Sequence, residues 1–270
     1  KALKFCKQQE LQKAMDKAQK IITEGDFESY DKVEGLVREA LQVGEGEKGQ
    51  SDVFTDLDTV LEEDYRHPIP MGIAGIDKLL KGGLAKGEIG VILAPTGVGK
   101  TTILTKIANT AFNMGYNVLQ IFFEDNPKII QRKHFTIWTG IEPDNLVFHK
   151  DKVMEKITEI KETMQNRLIL KKLASDTMTM NQIKNQVRKM IADGTKIDLI
   201  MLDYIDCVLP EQSSKDEWKA EGSIMRAFEA MCHELNLVGW TATQGNRSSI
   251  SSEVVTTDQM GGSIKKAQVG

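Results

Sequence analysis

Eight consecutive residues carry the clearest chemistry in this chain: Ala94, Pro95, Thr96, Gly97, Val98, Gly99, Lys100 and Thr101, reading APTGVGKT. They fit the pattern GxxxxGK[ST], with Ala94 in place of the first glycine. Small residues there let successive backbone N–H groups turn onto phosphate oxygens. Lys100 can then reach the β- and γ-phosphates, and the Thr101 hydroxyl can hold Mg²⁺. Thr102 completes the set of residues expected around the phosphates. The loop therefore predicts a nucleoside-triphosphate site.

Three further polar residues stand where apolar runs end. Asp203 closes IDLIML and is followed by Tyr204, the pattern of a strand-end carboxylate that holds Mg²⁺ directly or through water; a turn or helix-capping aspartate is the plainer alternative. Glu124 closes the run VLQIFF, where a carboxylate beside the γ-phosphate can orient and deprotonate an attacking water. Asp125 next door remains open for the same task. Gln244 follows LVGWTA, and its neutral amide can sense the γ-phosphate by hydrogen bonding and pass the change into the loop after it. A solvated loop residue is its bland reading.

These groups need strands to hold them. Residues 88–93 (EIGVIL) form a short apolar strand ahead of the loop, and residues 102–114 place Ile103, Leu104, Ile107, Ala108 and Ala111 at helical spacing behind it. That order points the helix amino terminus, with its unpaired N–H groups and positive dipole end, at the phosphates. Further strands are expected at 118–123, 168–173, 197–202 and 237–242, with helices between, notably over 178–192 and 220–236. Such alternation argues an α/β fold, a mostly parallel sheet flanked by helices on both faces, with ligands at the carboxyl ends of the strands.

The first part of the chain reads differently. Residues 4–23 carry Leu11, Met15, Ala18 and Ile22 at helical spacing, and residues 26–43 carry Val33, Leu36, Val37, Ala40 and Leu41, so a small two-helix segment precedes the sheet domain. Its apolar faces suit either its own core or a neighbouring subunit. GEGEKGQSD then reads as a flexible polar linker. The expected division is a helical hairpin over 1–43, a linker over 44–67 and the nucleotide-binding domain over 68–270.

Composition bounds the function classes. At 270 residues, with 40% hydrophobic and 27% charged residues, the chain can build one large core and a small appendage. No apolar run approaches the length of a membrane span, so no membrane partner is expected. Three cysteines, Cys6, Cys207 and Cys232, show no CxxC pairing, which suits free thiols in a reducing cytoplasm better than a disulfide framework or a zinc site. The formal charge of −4 gives no global attraction to nucleic acid, leaving such binding to local basic loops. Lys1 opens the chain without a Met, from which a fragment of a longer protein is expected.

Taken together, APTGVGKT, the strand-end FFED, the MLDY run and QGNR before a Ser/Thr-rich stretch resemble the RecA-like ATPase domain of the hexameric, DnaB-like replicative helicases, phage members included. The resemblance covers residues from about 68 onward and implies ATP and Mg²⁺ as ligands. It makes Glu124 the catalytic base, Lys100 and Thr101 the phosphate and Mg²⁺ ligands, Asp203 the Mg²⁺-associated acid and Gln244 the γ-phosphate sensor. It also implies a homo-oligomer, a hexameric ring that grips single-stranded DNA by loops after the last two of these strands, with primase and a helicase loader as further partners in the host cytoplasm. The corresponding positions here are Lys215 and Lys219 in one loop, Arg247, Ser248 and Ser249 in the other, and Lys265 and Lys266 beyond. Lys265 and Lys266 depart from the acidic or amide residues usual there. The chain also stops before the strand where the family carries its arginine finger, so a C-terminally truncated domain is expected. The lead-in MGIAGIDKLLKGGLAKGE is shared with KaiC-like and RadA-like ATPases, and an ATP-gated assembly or loader protein is the alternative from another class.

Overall fold

A computed structural model describes residues 2–24, 33, 61, 66–211 and 217–244. The chain divides into two compact units, residues 1–63 and 64–270.

In the first unit, α1 runs over Ala2–Glu24. Its described inward positions are Ala14 and Ala18, both buried, while Met15 and Ile22 are each 56% exposed. Of the expected stripe through Leu11, Met15, Ala18 and Ile22, Ala18 is buried while Met15 and Ile22 face outward. The second expected helix falls outside the described residues, apart from the helical residue 33.

The second unit is built on five parallel strands: β1 (Ile89–Ala94), β2 (Val118–Phe122), β3 (Leu168–Lys172), β4 (Leu199–Asp203) and β5 (Val238–Gln244). Their spatial order is β1-β5-β4-β2-β3. Helices α2 (Ala74–Leu79), α3 (Lys100–Asn113), α4 (Pro127–Thr139), α5 (Lys150–Thr163), α6 (Met180–Ala192) and α7 (Glu217–Leu235) supply the connections and layers. Parallel neighbours require such crossovers, and a sheet covered on both faces buries every residue of its central strands. β2 and β4 are buried throughout, which is why they read as largely apolar runs, with Gln120 and the terminal Asp203 the polar exceptions.

Alternation along β4 divides the core. Ile200 and Leu202 join Ile183 and Val187 of α6 and Phe228, Met231 and Cys232 of α7. Leu199 and Met201 face the other way, onto Leu104, Ile107, Ala108 and Ala111 of α3. On that second face the Trp240 ring lies over Gly90, where an added Cβ would stand 2.4 Å from the ring. β1 can therefore sit beside β5 at this level only with glycine.

Local chemistry sets the helix ends. α4 starts at Asn126, whose side chain accepts the Lys128 N–H at 2.9 Å, with Pro127 in the first turn, and it stops at Gly140 with φ 69°. α6 begins with a reciprocal capping box between Thr179 and Gln182. α3 differs. Its cap residue Gly99 has φ 95° and supplies no side-chain acceptor, so the first N–H groups of α3 are left for something else.

Asp203 and Gln244 stand at the ends of β4 and β5, each strand running on through them past its apolar run. One expectation needs correction. Lys219, expected in a loop with Lys215, lies instead in the first turn of α7, which begins at Glu217. No helix among the described residues is long and apolar enough to cross a membrane.

Candidate functional site: a phosphate cradle at the strand ends

The ends of four strands converge on one cavity of about 320 Å³. β1 delivers the loop, and its last residue, Ala94, pairs in register with Gln244 of β5. β2 and β4 pair so that Phe122 stands opposite Asp203. Glu124, two residues past the end of β2, therefore emerges beside Asp203, and Gln244 emerges between β1 and β4.

The structure brings together most of the residues expected for the nucleotide. Thr96, Gly97, Gly99, Lys100, Thr101 and Thr102 line the cavity with Glu124, Asp203 and Gln244. Val98 points outward, 58% exposed at the loop tip. Ala94 and Pro95 do not line it, but their carbonyl oxygens accept the Lys100 ammonium at 3.1 and 3.2 Å. Gly97 and Gly99 both have positive φ, 84° and 95°, as a loop that turns its N–H groups inward requires.

Charge in the cavity is closely opposed. Lys100 is 8% exposed, and burial lowers its pKa; Asp206, Asp203 and Glu124 act in the opposite direction. Asp203, 6% exposed, has its pKa raised by burial, opposed by a hydrogen bond from the Thr101 side chain and by Lys133. A hydroxyl and a carboxylate side by side form a pair of hard oxygen donors suited to Mg²⁺, which takes one or two protein oxygens and completes its shell with water and phosphate. Thr101 and Asp203 fit that ion.

Glu124 and Asp125 now part company. Both line the cavity, but Asp125 Oδ2 is engaged by Lys133 Nζ at 3.1 Å. Glu124 Oε1 instead accepts the Tyr204 hydroxyl at 2.9 Å, a neutral donor. Tyr204 also turns its ring toward Lys100, whose Nζ lies 5.7 Å from the ring centroid. Burial and the bond to Glu124 both push the Tyr204 phenol up, so the hydroxyl keeps its proton and remains a donor.

Sequence reasoning missed Lys133, Asp206 and the role of Tyr204. Asp206, in the short 3₁₀ turn Ile205–Cys207 after β4, accepts the Gln244 N–H at 2.9 Å and the Thr243 hydroxyl at 2.8 and 3.0 Å. It ties Gln244 to the strand that carries Asp203. Only the adjacency of Tyr204 and Asp206 to Asp203 could have signalled them. Lys215, Arg247, Ser248, Ser249, Lys265 and Lys266 lie outside the described residues, and Lys219 is placed only by its position in α7.

A parallel α/β domain with a glycine-bearing loop between β1 and α3, and carboxylates at the neighbouring strand ends, defines a RecA-like nucleotide-binding fold. The model of the DnaB-like helicase C-terminal domain matches residues 68–253, and the chain belongs to that family. It is 26% identical over 205 residues to the DnaB-like replicative helicase of Enterobacteria phage T4, a match covering 70% of this chain and 42% of that protein. The DNA repair protein RadA of Aquifex aeolicus is 30% identical over 99 residues, covering 37% of this chain and 22% of RadA. The chain thus spans less than half the length of these curated relatives. Among solved structures, one described as an ATPase domain superposes with a TM-score of 0.64 at 19% identity, covering 74% of this chain and 72% of that one. A DnaB-like replicative helicase described with its primase interactions superposes at 0.68 and 18% identity, covering 90% of this chain and 59% of that one. Both show the same fold.

Proposed function

We propose that this chain is the motor segment of a replicative DNA helicase, which hydrolyses Mg²⁺-ATP between β1, β5, β4 and β2 and uses the cycle to translocate on single-stranded DNA as a homohexameric ring. The observation that carries the reading is the placement of the Glu124 carboxylate and the Thr101–Asp203 pair around Lys100 in one cavity. Family membership supports the motor class, and the RadA matches, confined to about a third of the chain, do not favour the recombinase alternative. By analogy with the primase-interacting helicase that shares the fold, primase is the expected partner, with a loader as a second one and the cytoplasm as the setting.

Each residue then has a task. The open N–H groups at the start of α3 receive phosphate oxygens, and Lys100 leaves the Ala94 and Pro95 carbonyls to neutralise the β- and γ-phosphates. Thr101 and Asp203 hold Mg²⁺, which supplies neutralisation of the developing phosphate charge. Glu124 accepts the proton of the attacking water, and Tyr204 keeps that carboxylate oriented. Gln244 reports the γ-phosphate to the stretch after β5. The proposed DNA-binding positions are Lys215, Lys219, Arg247, Ser248, Ser249, Lys265 and Lys266, where the Lys and Arg contacts to phosphates would make affinity fall with salt.

The test is ATP hydrolysis by the intact protein with and without single-stranded DNA, run beside Glu124→Gln. General base catalysis contributes about 10²–10⁴ in rate, so the variant is expected to lose at least about 10² in kcat while binding ATP as before. DNA stimulation in the parent protein supports the motor. Hydrolysis that ignores DNA moves the reading to a nucleotide-gated assembly protein, and turnover that survives Glu124→Gln removes Glu124 from its role.

A further inference from the structure

The base carboxylate has a second support that lies outside the cavity. β2 ends at Phe122, and α4 does not begin until Pro127, capped by Asn126. Phe123 is the last residue of this connection backed by the sheet, its N–H donating to the Asp203 carbonyl at 3.2 Å. Glu124 and Asp125 lie in the bend between strand and helix, outside both elements. A group whose catalysis depends on position to within a fraction of an ångström would thus hang on an irregular stretch of backbone.

Lys172 spans that stretch. It is the last residue of β3, in register with Phe122. Its Nζ donates to the carbonyl oxygen of Phe123 and, at 2.9 Å, to that of Asp125. Nζ stands 5.9 Å from the Phe122 ring centroid, and the next residue, Leu173, donates its N–H to the Phe122 carbonyl at 3.0 Å. One ammonium therefore grips the carbonyls of the residues on both sides of Glu124, and charge-assisted hydrogen bonds are about twice as strong as neutral ones. Lys171, one residue earlier, belongs to the other face of the strand by its period of two.

We propose that Lys172 is a positioning residue for Glu124: it fixes the backbone on either side of the base, while Tyr204 fixes the carboxylate. The inference rests on Glu124 being the base. It assigns Lys172 no contact with nucleotide, so its loss acts on turnover and not on affinity. A misplacement of about 1 Å at a reacting group can cost about 10² in rate, and a bend that loses one of its two supports is expected to forfeit a part of that.

The experiment compares Lys172→Met, Lys172→Arg and Glu124→Gln in the intact protein, reading steady-state kcat for ATP, affinity for a fluorescent ATP analogue and melting temperature. Lys172→Met is expected to lower kcat about 10-fold with the affinity unchanged within about two-fold, and Lys172→Arg, which keeps both a charge and several donors, to restore most of the rate. Turnover of Lys172→Met equal to the parent, with Glu124→Gln inactive, overturns the role of Lys172 and leaves the base in place. Affinity falling in proportion to kcat overturns it as well, since that is what a distorted pocket would give. Full turnover in Glu124→Gln removes the base itself and the inference with it.

Discussion

Acidification should weaken this fold through one histidine. His134 of α4 is 2% exposed and lies in a chain of buried polar groups between α3 and β2. Its Nε2 stands 3.0 Å from Gln120 Oε1 and its Nδ1 stands 2.8 Å from Asn109 Nδ2. The neutral Nε2–H tautomer satisfies both contacts. A second proton on Nδ1 would meet the Asn109 amide donor, and flipping that amide would take its other hydrogen off the Thr105 carbonyl, 2.8 Å away. Burial accordingly pushes the imidazole down to about 4. An unfolded chain takes up that proton near pH 6.5, so between about 6.5 and 4 the unfolded state is the one that gains, and stability falls as pH falls. The full effect is about 3 kcal/mol, of which about 2 kcal/mol is lost between pH 7 and pH 5. Urea unfolding of the parent protein and His134→Gln at those two pH values isolates this contribution, because the other titrating groups are common to both. The parent should lose about 2 kcal/mol more than the variant on acidification. Equal losses would refute the neutral, buried histidine.

Two further substitutions probe the site and its scaffold. Tyr204→Phe removes the hydroxyl that Glu124 accepts at 2.9 Å but keeps the ring beside Lys100, so kcat should fall about 3- to 10-fold, the equivalent of one hydrogen bond, with ATP affinity unchanged in a nucleotide titration. A drop in affinity with normal turnover would contradict that assignment. Gly90→Ala places a Cβ 2.4 to 2.7 Å from three atoms of the Trp240 ring, a buried aromatic that has no room to withdraw, and should cost about 1–3 kcal/mol in denaturant unfolding. Unchanged stability would mean that β1 and β5 can separate at this level without penalty.

The strands were legible because each carries a mostly apolar run, densest in the central β2 and β4, which helices cover on both faces. α4 and α5 were not marked out in the same way. α4 buries only Ile130 and His134, and α5 only Val153, so neither carries a dense apolar stripe. The start of α7 escaped for a related reason. Its first residues, Glu217 and Lys219, are charged and read as loop, although helices tolerate such residues well at their ends. In α1 the periodicity was real, but alanine carried the buried positions and the larger Met15 stayed outside.

At the site, what could be read was what lies in one contiguous motif or at the end of an apolar run: the loop from Ala94 to Thr101, Glu124, Asp203 and Gln244. What could not be read was any relation between strands. The order β1-β5-β4-β2-β3 interleaves segments far apart in sequence, placing Gln244 against Ala94 and Asp203 against Phe122. Every support of the candidate machinery crosses such a boundary: Tyr204 after β4 holds Glu124 after β2, Asp206 after β4 holds the Gln244 backbone at the end of β5, and Lys172 at the end of β3 holds the peptides around Glu124. The candidate groups and their supports thus alternate along the sheet edge, and among the described residues it is hydrogen bonds reaching between strands that join one strand end to the next.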